Sequence, residues 1–207
     1  MSIISKLSAV PSYPQEIGLD LTKEEDRFKW FLASILFARR ISAQIAKRTY
    51  REFEKQGILT LESIMKAGWD KLVQVLDAGG YVRYDFSTAS RLLDIASTLK
   101  QKYGSLENLH AQARDAKDLE RKLLQLKGVG PTTVNIFLRE LRGIWAKARP
   151  EPSALAKEAA AKLKISEAEL EASGVESALV RVALELCKKK RCPACPIREE
   201  CSSPQAG

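Results

Sequence analysis

The chain has 207 residues, and its 34 Lys and Arg outweigh 26 Asp and Glu to give a formal charge of +8. That length suits one large domain or two small ones, and hydrophobic residues at 45% can build a packed core. No apolar run approaches the ~18 residues of a membrane span, residues 1–21 lack the apolar stretch of a secretory signal, and the excess of basic residues points to an anionic partner without naming it.

Residues 1–20 carry Pro11 and Pro14 and no periodicity, and read as an extended arm. Thr22 with Glu25 three positions on reads as a capping box. The helix it opens carries Phe28, Phe31, Leu32, Ile35 and Leu36 on one face. Ser42 caps the next predicted helix, with Ile45, Ala46, Thr49 and Phe53 inward and Gly57 as its stop. Leu61, Ile64 and Met65 mark a short helix ending near Gly68. Leu72, Val73 and Leu76 mark another, ending at Gly79-Gly80. A longer helix is predicted over Ala89–Tyr103, with Leu92, Leu93, Ile95, Ala96 and Leu99 inward. His110, the sole histidine, falls in a predicted loop and is assigned no role. Leu119, Leu123 and Leu124 face one way on a helix that runs into Leu126-Lys127-Gly128-Val129-Gly130. Pro131 then takes the first position of a new helix, where its missing N–H costs nothing. Val134, Phe137, Leu138 and Leu141 form that helix's stripe, and Gly143 ends it. Residues 145–153, with Pro150 and Pro152, read as a linker. Three more helices are predicted over Ala154–Leu163, Glu167–Ala172 and Glu176–Leu186. No segment alternates as a strand, so the fold class is all-α.

Two motifs carry chemistry. A Gly-x-Gly turn between helices lets the backbone approach an outside group closely, and the second helix then presents free N–H groups. That arrangement grips a phosphate without a side chain. The second motif is Cys187, Cys192, Cys195 and Cys201, the only cysteines, spaced C-x4-C-x2-C-x5-C. Four thiolates so close suit one metal ion or one cluster. Disulfides or free thiols are the alternatives, and disulfides need an oxidising compartment.

The helix–hairpin–helix over Leu119–Leu141, followed by the four-cysteine tail, resembles the endonuclease III-like DNA glycosylases. The resemblance runs from about Asp26 to Cys201, with both motifs in the family's order. It implies two helical domains with a cleft between them. One spans residues 26–145 and contains the hairpin motif (119–141). The other joins 1–25 to 146–207 and contains the cysteine loop (187–201). It further implies base excision: a damaged or mismatched base is flipped out of duplex DNA and its glycosidic bond is cut. The implied cofactor is a [4Fe-4S] cluster, with Zn2+ as the alternative. The implied partner is double-stranded DNA, bound by a monomer in the cytoplasm, associated with the nucleoid and not with membrane.

Site residues follow from the same resemblance. Lys127, Gly128, Val129, Gly130, Thr132 and Thr133 are expected at DNA. Arg40 sits where relatives fill the gap left by the flipped base, and Tyr81, with Val82 and Tyr84 beside it, where they place a second wedge. Two departures bear on catalysis. Thr132 stands where bifunctional members carry the Schiff-base lysine, and threonine cannot form one. Pro150 stands where the family carries its aspartate, and the carboxylate beside it is Glu151. The expected activity is therefore a monofunctional glycosylase with Glu151 helping water. A DNA-binding protein without chemistry, and a lyase using another amine such as Lys127, are the alternatives. The spacer Lys188–Arg191 between the first two cysteines is shorter than the family's.

Overall fold

The computed structural model describes residues 2–202. Within them every regular element is helical and no strand occurs. The chain divides into two units. One comprises residues 17–150, the other 1–16 together with 151–207. Among the described residues no helix is long and apolar enough to cross a membrane.

The larger unit holds α3 (Glu24–Phe37), α4 (Ala43–Lys55), α5 (Leu61–Ala78), α6 (Asp85–Lys102), α7 (Leu106–Ala111), α8 (Ala116–Leu124) and α9 (Pro131–Arg139). The starts of most are written in short polar side chains. Ser42, Thr60, Ser105 and Asp115 each accept a backbone N–H of the first turn they precede, worth about 1 kcal/mol apiece. The exceptions are α6, α9 and, against expectation, α3. Thr22 bonds Asp20 at 2.6 Å instead of capping, so the expected box with Glu25 is absent. Glu24, Glu25 and Asp26 in the first turn complement the helix dipole there.

The core of this unit fixes α9. Trp30, Phe31, Phe53, Tyr50 and Phe137 are fully buried. Phe31 meets Phe137 edge-on at 5.0 Å between centroids, and the Trp30 indole donates to the Phe137 carbonyl at 3.3 Å. Thus α3 holds the second helix of the hairpin motif in place. The long α5 breaks at Gly68, whose φ of 71° only glycine adopts freely. The predicted stop there is a sharp kink between two helical halves. Met65 and Leu124, expected inward, are substantially exposed. The short α7 was not expected. Only Leu106 and Leu109 are buried on it, too few to show a period.

The smaller unit holds α1 (Ile3–Ser8), α2 (Tyr13–Glu16), α10 (Ala154–Lys162), α11 (Glu167–Ser173) and α12 (Glu176–Val182). The arm is therefore helical in part, not extended throughout. Leu7 is buried with Ala156, Ala160, Leu163, Leu170, Leu179 and Ile197, and that burial orders a segment too short to be helical alone. Arg181 binds the partner elements of the arm. It donates to the Pro11 carbonyl, pairs with Glu16 at 2.8 Å and lies over the Tyr13 ring at 4.9 Å.

Candidate functional site

The turn between α8 and α9 is built by two apolar residues pointing in and two glycines at the surface. Leu126 and Val129 are buried, and the Val129 N–H closes the turn onto the Leu126 carbonyl at 2.9 Å. Gly128 has φ +96°, and a Cβ on it would stand 2.6 Å from Arg91 Cγ and Cδ. Glycine is therefore required at that position. Gly130 is different. Its φ is −106°, and a Cβ would meet nothing within 4 Å. It serves as the cap residue of α9 and supplies no side chain to the first-turn N–H groups, and Pro131 follows it. The first-turn N–H groups of α9 therefore have no side-chain acceptor from the cap. With the helix dipole behind them, an anion is the acceptor they suit.

The expected contact residues divide on exposure. Lys127, Gly128 and Thr132 are exposed. Lys127 pairs with Asp94 of α6 at 2.9 Å. Val129 and Thr133 are buried and belong to the packing of the turn.

Arg40 is exposed in the loop after α3. Tyr81 is a correction. It is 1% exposed, and its hydroxyl donates to the Leu36 carbonyl at 3.0 Å. Burial raises its phenol pKa well above the ordinary value. It anchors the loop after α5 to the end of α3 and offers no wedge. The exposed apolar residue of that loop is Val82, at 64%. Beside it, the guanidinium groups of Arg39 and Arg83 approach the Tyr84 ring at 5.8 and 5.6 Å.

In the smaller unit Glu151 is 81% exposed and pairs with Lys157 at 2.7 Å. That hydrogen bond, then the lysine's charge, lowers its pKa below the ordinary carboxylate value. The acid that sequence reasoning missed is Glu176. It is buried at the start of α12 and accepts the Ser153 N–H at 3.0 Å. Ser153 in turn caps α10. No sequence pattern distinguishes this acid from its exposed neighbours.

The cysteines share one cavity. After α12 the chain widens into a π-helical turn over Ala183–Cys187, closed by Lys188 N–H onto the Ala183 carbonyl at 2.9 Å. Such a turn re-aims the residue at its end, here Cys187. A short 3-10 turn over Cys192–Ala194 brings in the next two. All four thiols are unbridged and half-buried, and they line a cavity of about 150 Å3 with Leu155, Ala159 and Leu186. Burial, then the neighbouring thiols, pushes Cys187 up. Cys195 is raised first by burial as well. Among the described residues no three of His, Cys, Asp and Glu converge closely enough to hold a metal ion. The thiols instead line a space larger than a single water site, shared with Glu158, Lys162 and Lys188.

No family model matches the chain, and no curated protein matches it. Among solved structures it is similar to the crystal structure of an H. pylori 3-methyladenine DNA glycosylase (MagIII) bound to 1,N6-ethenoadenine. The identity is 14% and the TM-score 0.52, with 91% of this chain and 96% of that one covered. The two share a fold.

Proposed function

We propose that the chain is a DNA glycosylase that releases a damaged or mismatched base by hydrolysis and leaves the abasic strand uncut. The observation carrying this reading is the hairpin: first-turn N–H groups of α9 with no side-chain cap, behind an exposed Lys127-Gly128, on a fold shared with a 3-methyladenine DNA glycosylase. The hairpin holds a backbone phosphate and so positions the duplex without reading its sequence. Water is the nucleophile, because Thr132 offers no amine. Glu151 stabilises the positive charge that develops on the sugar. For this it exchanges Lys157 for the sugar once DNA covers it.

The cysteine cavity is proposed to hold a [4Fe-4S] cluster through Cys187, Cys192, Cys195 and Cys201. When bound, the cluster serves as a cross-link that fixes the loop 187–201. The chain is proposed to act as a monomer on double-stranded DNA.

A second reading, DNA binding without chemistry, is favoured by one observation: Glu151 stands in water, tied to Lys157. A panel of duplexes carrying uracil, thymine glycol, oxidised guanine, alkylated purines or mismatches separates the two. Release of free base from any member supports the glycosylase. Tight binding to every duplex with no release supports the second reading. A covalent adduct trapped by borohydride on abasic DNA would overturn the hydrolytic assignment in favour of an amine such as Lys127.

A further inference from the structure

The larger unit exposes an aromatic pair outside the hairpin. Trp69 is 40% exposed and Phe86 is 60% exposed, and their ring centroids lie 5.4 Å apart with planes inclined at 35°. The pair is held in place. The Trp69 indole N–H donates to Ser90 Oγ at 3.0 Å, and Ser90 donates onward to the Phe86 carbonyl at 3.0 Å. Trp69 directly follows the break at Gly68, which sets the angle at which its half-helix leaves. An exposed indole fixed by a relay to a neighbouring helix spends its one donor internally and turns a flat apolar face to solvent.

Its surroundings say what suits that face. Phe86 lies in the first turn of α6, and the same helix carries Arg91, on which Gly128 of the hairpin rests, and Asp94, which pairs with Lys127. Arg91 lies five positions after Phe86 on that helix, a little over one turn. On the other side, the loop before α6 carries Arg83, whose guanidinium and that of Arg39 flank Tyr84. Of the acids beside the pair in the chain, Asp85 accepts the Phe86 backbone N–H at 2.6 Å, and Asp70 directly follows Trp69.

We propose that Trp69 and Phe86 form a stacking platform for an unpaired base. The inference rests on the reading of the hairpin as a DNA-binding element, and it extends the ligand class to DNA with unpaired or single-stranded nucleotides. Bases stack on aromatic side chains irrespective of sequence, and the arginines supply the attraction to the backbone on either side.

Quenching of intrinsic fluorescence follows this site through Trp69, because the other two tryptophans, Trp30 and Trp145, are buried beyond a base's reach and the Trp69→Phe variant gives their share of the emission. Wild-type protein is titrated with a paired duplex, the same duplex with one bulged nucleotide, and a single-stranded oligodeoxynucleotide. The bulged duplex and the single strand are expected to quench Trp69, and the paired duplex is not. Phe86→Ala should weaken the bulged duplex about tenfold with paired-duplex affinity unchanged. Trp69→Phe should keep the affinity and lose the quenching, because a ring remains to stack on. Equal quenching by paired and bulged duplexes, with both variants binding like wild type, would overturn the platform and leave the hairpin reading intact. So would self-association of the wild type that Phe86→Ala abolishes, which would make the patch a contact between copies. Failure of wild type to bind any of the three DNAs would instead overturn the hairpin reading on which the platform rests.

Discussion

Gly128 rests on the side chain of Arg91, so closely that a Cβ would come within 2.6 Å of two of its methylene carbons. The hairpin is thereby seated on α6 at a point where no other residue fits. Gly128→Ala combines this overlap with a positive φ and should cost about 1–3 kcal/mol of stability. Gly130→Ala meets open space at an ordinary φ and should cost only a few tenths. Urea unfolding of the two variants checks the difference, and equal stabilities would remove the close approach from the account.

Gly130→Glu tests the hairpin's ligand. It should fold, since a side chain there has room, and it places a carboxylate where a phosphate is proposed. Duplex affinity should fall for every sequence alike, with a smaller salt dependence. A folded variant that binds as wild type would take the hairpin out of the interface.

Tyr81→Phe removes one buried donor from the Leu36 carbonyl. The expected loss is about 1–2 kcal/mol of stability, with DNA affinity unchanged, because the ring lies inside the core. Thermal melting beside duplex titration distinguishes this from a wedge, whose loss would lower affinity or base release and spare stability.

These positions also show how far the sequence could be read. The hairpin was legible because glycine and proline have few other uses between two helical stripes. The cap at Ser42 was legible from residue type, and the break at Gly68 from the same logic as any helix stop, whereas Ser153 read only as linker and proves to cap α10. Tyr81 was not legible, since an aromatic after two glycines serves equally as anchor or wedge until its hydroxyl finds the Leu36 carbonyl. Thr133 alternates with exposed Thr132, and only the packing of Val134 and Phe137 decides which of the two turns inward. Glu176 is buried by what folds around it. The cysteine spacing was plain, but the cavity also needs Leu155 and Ala159 from α10, brought in by tertiary packing.

The cysteine cavity gives a chemical prediction. Protein purified without oxygen should be brown, with the broad visible absorption of thiolate-bound iron–sulfur centres and about four irons per chain. Cys192→Ser should lose iron and loosen the loop 187–201 to proteolysis, since a cluster bound there would cross-link it. A colourless protein with one zinc per chain would contradict the cluster and retain a metal site.

Base release is measured in single-turnover reactions on damaged duplexes, with the free base quantified by chromatography. Wild type should release a base and leave an intact abasic strand. Glu151→Gln should bind the same duplex at least as tightly and release almost none, because neutralising the carboxylate removes an interaction made in the transition state and relieves repulsion from phosphate. Wild type that binds every duplex in the panel and releases no base from any would contradict the account.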